Sequence, residues 1–233
     1  MKNKMQNATI SADIVSSTSL SVEELTLLQS EIRHFLDELS EKSNGNDWGR
    51  LFKGDSVEIF LLDPRKALRI ALLLKALVKK APVSLKTNKN ARRSLFRKYG
   101  VRLAIGVGEM RVADRKNDIL DGEAIYNAGR LLEGQQKTTK DKPSMKRSLY
   151  FGSKDMGLSS QMDVILGLLD AILKEMTIRQ SEILYYKLLG ANEEEIALKL
   201  SIKQSAVNQQ SNSFSWPSIE SAVNYFEKLD FES

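Results

Sequence analysis

Residues 48–62, WGRLFKGDSVEIFLL, decide the fold class because they contain two short apolar segments on either side of a tight turn. The segments 48–52 and 57–62 have the length and the aromatic and β-branched content of strands. The intervening residues 53–56 include a Gly54-Asp55 pair, which suits a hairpin. We therefore predict two strands that pair in antiparallel fashion.

Further strands and helices are predicted on both sides of this hairpin. Upstream, residues 8–15 form a strand, and apolar residues recur at intervals of three and four from Val22 to the turn at 43–47, which indicates a helix. Downstream, Asp63 and Pro64 begin a helix that runs to about Lys80. A basic connector leads to a strand over 101–107, a helix opens at Gly122, and a last strand lies near 148–151. This order predicts an α+β sandwich with helices on a central sheet.

The remainder of the chain is predicted to be wholly helical. The polar segment 137–146 is interpreted as a loop inside the first domain, and the Gly-Ser region 152–160 as the domain boundary. The predicted domains are therefore residues 1–155 and 156–233. Helices of the second domain are expected at 162–176, 179–189, 193–200, 204–214 and 217–229.

Composition excludes several classes of protein. The chain has no cysteine, which excludes disulfides, thiolate metal sites and a cysteine nucleophile and favours a reducing compartment. The first eight residues are polar, and the apolar run 70–74 is far shorter than the roughly 20 residues of a membrane span. We predict a cytoplasmic protein that does not enter a membrane.

The positive charge of the chain is concentrated in one stretch. The formal net charge is +5, and residues 64–108 contain no acid. This stretch is interpreted either as a solvated face or as a surface that contacts phosphates, for which Arg92, Arg93, Arg97 and Lys98 are the candidates. Its basic residues are Arg65, Lys66, Arg69, Lys75, Lys79, Lys80, Lys86, Lys89, Arg92, Arg93, Arg97, Lys98 and Arg102.

Two acidic residues are candidates for a metal site in the first domain. Asp13 lies in the first predicted strand and Asp55 at the tip of the hairpin. Paired carboxylates can bind Mg²⁺ or Mn²⁺, and these ions neutralise the phosphates of a nucleotide. The alternative is structural: Asp55 forms the turn and Asp13 accepts hydrogen bonds from nearby amides.

Four short motifs carry a family resemblance over residues 8–133. Residues 11–18 (SADIVSST), 53–60 (KGDSVEIF), 102–109 (RLAIGVGE) and 122–131 (GEAIYNAGRL) resemble the metal strand, metal hairpin, following strand and last catalytic helix of class III nucleotide cyclases. Residues 13–17 (DIVSS), 54–56 (GDS), 105–109 (IGVGE), 121–124 (DGEA) and 128–130 (AGR) are more closely similar to the SatD family of bacterial proteins. The resemblance implies a ferredoxin-like, nucleotide-cyclase-like sandwich.

The same resemblance assigns roles to individual residues. It implies that Asp13 and Asp55 hold the metal ions and that Arg130 stabilises charge on the transferring phosphoryl group. The cyclase asparagine that orients the ribose corresponds to Tyr126, and the lysine that reads the purine corresponds to Leu51. The acid that assists this lysine falls near Ile119. Positioning supplies much of a phosphoryl transfer, so these departures predict a domain that binds a nucleotide or dimerises without catalysis.

The helical domain contains a second family resemblance. Residues 177–189, 193–200 and 204–213 are similar to the helix-turn-helix of sigma-factor region four and of LuxR-type regulators. The third of these segments would be the recognition helix, with Lys203, Gln204, Ser205, Asn208 and Gln209 contacting DNA. Four basic and four acidic residues over 177–214 cancel, so the alternative is a packing or dimerisation module.

Together these patterns predict a homodimeric DNA-binding transcriptional or signalling regulator with a non-catalytic cyclase-like domain. The alternative is a metal-dependent nucleotidyl cyclase, or another enzyme that acts on nucleotides, with a helical regulatory domain. The absence of the base-reading and ribose-positioning residues favours the regulator.

Overall fold

A central sheet of five strands organises the fold. The computed structural model describes residues 6–83, 91–134 and 145–231. The sheet has the strand order β2-β3-β1-β4-β7, antiparallel throughout except that β4 and β7 are parallel. Strands β5 and β6 form a separate antiparallel hairpin. The strands are β1 (Asn7–Ile14), β2 (Trp48–Phe52), β3 (Ser56–Leu61), β4 (Val101–Gly108), β5 (Met110–Asp114), β6 (Ile119–Gly122) and β7 (Leu149–Gly152).

The described residues also form nine α-helices and two 3-10 helices, Ser17–Ser19 and Pro64–Lys66. The first α-helix begins at a capping box in which Ser21 and Glu24 exchange side-chain to backbone hydrogen bonds. The helices are α1 (Val22–Lys42), α2 (Ala67–Lys80), α3 (Ala91–Tyr99), α4 (Glu123–Gly134), α5 (Met156–Glu175), α6 (Ile178–Leu188), α7 (Glu193–Leu200), α8 (Gln204–Ser213) and α9 (Trp216–Phe226). The predicted α+β class is confirmed.

The two faces of the sheet differ in chemistry. Ile10 is fully buried between its register partners Ile59 and Ile105, on the face that α1 and α2 cover. Helix α4 packs on the opposite face, and it lies so close to β4 that a Cβ on Gly106 would come within 2.0 Å of the Ala124 carbonyl oxygen. Glycine at 106 therefore allows this close packing.

Two elements of the structure were not predicted from the sequence. Helix α3 lies in the stretch predicted to be a connector; its nine residues include no acid, and only Phe96 and Tyr99 are buried. The β5–β6 hairpin lies between the predicted strand 101–107 and the helix predicted to open at Gly122, and only Gly122 of its strands is buried, so they show no alternation of buried and exposed residues. The predicted hairpin 48–62 and the strand near 148–151 are confirmed.

The C-terminal helices pack onto the sheet layer through α2. Arg69 of α2 donates to both carboxylate oxygens of Glu227 and to the carbonyl of Leu188. Lys79 of α2 donates to the carbonyl of Leu173 in α5. One continuous hydrophobic core joins the residues of the sheet layer to those of α5–α9. The described part of the chain after residue 155 is helical as predicted, and the division into two domains stays a prediction.

Candidate functional site

Asp13 and Asp55 lie at neighbouring strand ends. Asp13 is the register partner of Ser56 across the β1–β3 pair, and the amide of Ile14 donates to the carbonyl oxygen of Asp55 at 2.9 Å. The turn between β2 and β3 therefore lies beside the C-terminal end of β1. The use of Asp13 and Asp55 as a shared metal site stays a prediction.

Both carboxylates already have partners within the protein. The Asp13 carboxylate accepts a hydrogen bond from Ser56 Oγ at 3.0 Å and forms an ion pair with the Arg102 guanidinium at 3.0 Å. Asp55 accepts from Ser17 Oγ at 2.7 Å. The Arg102 side chain is only 12% exposed, so its charge lies in a partly desolvated position beside Asp13. A divalent cation at this position would therefore compete with the Arg102 guanidinium for the Asp13 carboxylate.

Residues of α4 that lie in the segment resembling the last catalytic helix of the cyclases contact neighbouring strands. The Tyr126 hydroxyl donates to Asp121 and accepts from Arg111 at 3.0 Å, which links α4 to the β5–β6 hairpin. These hydrogen bonds from Tyr126 and Arg111 lower the pKa of the partly exposed Asp121. Asn127 donates to the Val107 carbonyl at 3.1 Å, so its amide binds the backbone of β4. Arg130 is exposed on α4.

Many residues of the basic stretch have acidic partners within the protein. Seven of them form ion pairs with acids from outside residues 64–108, and a phosphate-contacting role for the stretch stays a prediction. The longest-range example joins Arg69 to Glu227. The pairs are Arg65–Asp63, Lys66–Asp47, Arg69–Glu227, Lys75–Asp170, Lys80–Glu31, Arg93–Glu24 and Arg102–Asp13.

Two lysines of this stretch are buried. Lys75 is 0% exposed, and its ammonium donates to the carbonyls of Tyr99 and Val101 and to Ser148 Oγ at 2.6–3.0 Å, with Asp170 at 3.9 Å. Burial lowers the pKa of Lys75 to about 7 and that of Lys79 to about 8, and Asp170 opposes both shifts. The only sequence signal for this burial is that residues 75 and 79 lie one helical turn apart within the apolar α2.

The four predicted phosphate-contacting residues differ in accessibility. Arg93 pairs with Glu24 and donates to the Ser19 carbonyl, and Arg97 donates to the Val83 carbonyl, so both contribute to internal packing. Arg92 and Lys98 are exposed. Lys86 and Lys89 lie outside the described residues, as does most of the predicted loop 137–146.

The five predicted DNA-contacting residues are all exposed at the start of α8. Ser201 follows the last residue of α7 with a φ of 52°, in the left-handed region, and the amide of Ile202 donates to the Ala197 carbonyl. Ile196 of α7 and Val207 of α8 are fully buried between the two helices and their neighbours. The exposed residues are Lys203, Gln204, Ser205, Asn208 and Gln209.

Glu193 accepts hydrogen bonds from two of these side chains, a contact that was not predicted from the sequence. Its carboxylate accepts from Gln204 Nε2 at 2.7 Å and from Asn208 Nδ2 at 3.2 Å, and Lys187 lies 3.3 Å away. Glu193 is the first residue of α7, following the Asn192 cap. Sequence spacing alone does not show that the start of α7 lies beside α8.

The chain is similar to solved structures at low sequence identity. No family model and no curated protein matches the chain. Two solved structures of bacterial light-regulated adenylyl cyclases are similar at 18% identity and a TM-score of 0.40. The similarity covers 63% and 65% of this chain, and 75% and 44% of the two cyclase chains, respectively. A structural similarity at this identity and TM-score indicates nothing about the activity, ligand or partner of this chain.

Proposed function

We propose that the protein is a DNA-binding regulator in which a non-catalytic, nucleotide-cyclase-like domain carries a helix-turn-helix formed by α6, α7 and α8. The exposed polar surface of α8 is the observation that carries this proposal. Gln204, Ser205, Asn208 and Gln209 lie on one side of a short helix that is anchored to α7 by a three-residue turn. Amide side chains in this arrangement suit adenine edges in a major groove.

The surroundings of Asp13 support the non-catalytic part of the proposal. Arg102 already neutralises the carboxylate that a catalytic metal would use. Tyr126 and Asn127 are bonded to the β5–β6 hairpin and to β4, so neither amide nor hydroxyl is free to orient a ribose. Half-buried Leu51 packs against the core at the position matched to the purine-reading lysine. We therefore expect no appreciable cyclic nucleotide production.

DNA binding by α6–α8 requires phosphate contacts from other parts of the protein. The charges of residues 177–214 cancel, and Glu193 holds the amides of Gln204 and Asn208. Because phosphate neutralisation supplies much of the affinity for DNA, we expect binding by a homodimer with phosphate contacts from exposed basic residues such as Lys98.

Selection from a random duplex library by the full-length protein tests the proposal. We expect enrichment of a sequence, and the Asn208→Ala/Gln209→Ala variant should discriminate less well, losing about 1–3 kcal/mol per base contact with little change in salt dependence. Asn224→Ala, an exposed change on α9, is the matched control. Failure to enrich any sequence would instead identify α6–α8 as a packing module.

A second candidate function, a metal-dependent enzyme acting on nucleotides, rests on the juxtaposition of Asp13 and Asp55. It requires that Mg²⁺ or Mn²⁺ displace Arg102 from Asp13 and that Arg130 reach the reacting phosphate. Product formation from ATP or GTP with Mn²⁺, abolished by Asp13→Ala, would establish this function and exclude a purely regulatory domain.

A further inference from the structure

We propose that the outward face of α5 binds the same face of a second copy of this chain, in an antiparallel arrangement. This face, the α5 stripe, consists of Gly157, Gln161, Val164, Leu168, Ala171 and Glu175. Their spacing of four and three residues repeats along the helix, as in a seam between two packed helices. Neither the candidate metal site nor the α8 surface includes any of these residues.

The α5 stripe is apolar where a surface helix is normally polar. Val164 is 63% exposed and Leu168 is 65% exposed, whereas Met162, Leu166 and Leu169 on the opposite side are buried. The segment Met156–Leu173 has a mean hydropathy of 1.4, high enough to pass as a membrane span by length and composition alone, although core helices pass the same test. Within the described parts of the chain, nothing covers Val164 and Leu168, so the helix has one partnered and one unpartnered apolar face.

The charge pattern favours a second copy as the occupant. Glu175 is the one charged member of the stripe and lies at its C-terminal end. In an antiparallel pair the two Glu175 side chains lie at opposite ends of the seam, whereas a parallel pair would bring these like charges together. The centre of the stripe has no charge, so two identical faces meet without repulsion.

A lipid surface fits the same face less well. Helices that lie on membranes carry lysine and arginine beside their apolar face. The charged residue nearest the centre of the stripe is Asp163, which pairs with Arg147 at 2.6 Å. This ion pair leaves no net positive charge beside the stripe to attract anionic lipid, so the partner we infer is protein.

The size of the stripe predicts a weak dimer. A helix of 20 residues is about 30 Å long. The exposed Tyr225 of α9 widens the surface, because its hydroxyl lies 3.5 Å from Gln161. A single helix pair of this length buries less than the about 1,600 Å² of a standard interface. We therefore expect a monomer–dimer equilibrium with a dissociation constant in the micromolar range.

Sedimentation equilibrium of the full chain over a wide concentration range tests the proposal. We expect concentration-dependent dimerisation that Leu168→Glu weakens at least about tenfold, because the new charge lies opposite the apolar Val164 of the second copy. Val22→Glu replaces a similarly exposed apolar residue, 77% exposed at the start of α1, and should leave the dimer intact. A chain that stays monomeric, or a dimer equally unaffected by both changes, overturns the proposal.

Cysteine cross-linking tests the orientation, because the chain has no native cysteine. Gln161 of one copy should face Ala171 of the other, whereas two Gln161 residues would lie about 15 Å apart along the helix axis. A mixture of Gln161→Cys and Ala171→Cys proteins should therefore oxidise to mixed dimers, and neither protein alone should link. Linking of either variant alone would contradict the antiparallel arrangement. Binding to anionic vesicles that Leu168→Glu abolishes, without dimers, would make the face a membrane surface.

Discussion

The Asp13 carboxylate has an arginine where the family resemblance implies a metal ion. Replacing Arg102 with methionine keeps most of the side-chain volume and removes the cation at 3.0 Å. We expect the apparent affinity for Mn²⁺ to rise by about tenfold or more, since a charge this close contributes a few kcal/mol near a protein surface. Thermal shift with increasing Mn²⁺ measures the effect.

The matched control for Arg102→Met is Arg50→Met on the same face of the sheet. Arg50 pairs with Glu58 across β2 and β3 at 2.5 Å, away from Asp13. Its replacement should leave the affinity for Mn²⁺ unchanged. Equal responses from the two variants would mean that Arg102 does not occupy a metal position.

The buried Lys75 makes stability depend on pH. Its folded-state pKa of about 7 lies below the ordinary value of 10.5, so between these values the unfolded chain binds more protons than the folded one. As pH increases from 7 to 9, Lys75 alone should therefore raise the free energy of unfolding by about 2 kcal/mol. Urea titrations of the wild type and of Lys75→Met measure this rise.

Lys75→Met should show a smaller rise over the same pH range. The variant removes the proton that Lys75 binds on unfolding and retains the weaker contribution of Lys79, whose pKa is about 8. Identical pH dependence in the two proteins would show that Lys75 is not the group responsible. A fall in stability between pH 7 and 9 would contradict the sign of the shift.

At the scale of elements, the turn between α7 and α8 tests the helix-turn-helix unit. Ser201 has a φ of 52°, a left-handed conformation that favours glycine. Ser201→Gly should therefore stabilise the protein by about 0.5 kcal/mol, because relief of strain exceeds the added entropy of the unfolded chain.

Ser205→Gly, in the same helix-turn-helix unit, should lower the stability of the protein. Ser205 is an exposed residue of α8 with helical backbone, where glycine costs about 0.5 kcal/mol or more. Thermal denaturation of both variants compares the two effects. Destabilisation by both changes would contradict the left-handed turn at Ser201.

At the scale of the whole molecule, the core that joins the sheet layer to the C-terminal helices predicts cooperative unfolding. The chain has two tryptophans, Trp48 in β2 and Trp216 at the start of α9. Because Arg69 and Lys79 tie α2 to α5, α6 and α9, both tryptophans should report the same urea midpoint.

Single-tryptophan variants, Trp48→Phe and Trp216→Phe, allow the two regions to be followed separately by fluorescence. An Arg69→Ala change should lower both midpoints together, by an amount equivalent to about 1–3 kcal/mol. A Trp216 transition at clearly lower urea than the Trp48 transition would mean that the C-terminal helices unfold on their own.

The sequence by itself determined the features that depend on local order. The Gly54-Asp55 turn predicts the β2–β3 hairpin, whereas the pairing of β3 with β1, which brings Asp55 beside Asp13, is a long-range contact of the folded sheet. The helical periodicity of residues after 155 predicts α5–α9, and the exposed polar face of α8 follows from the same spacing. These predictions succeeded because strands, turns and helices depend on residues a few positions apart.

Only the tertiary structure decided how the charges are used. The basic stretch contains no acid, yet its arginines and lysines find acidic partners as far away as Glu227, 158 residues from Arg69. Glu193 reaches α8, and Arg102 reaches Asp13, for the same reason. Ion pairs form wherever folding brings opposite charges together, because a charge that is partly removed from water needs a partner nearby. Residue spacing contains no information about which partner that will be.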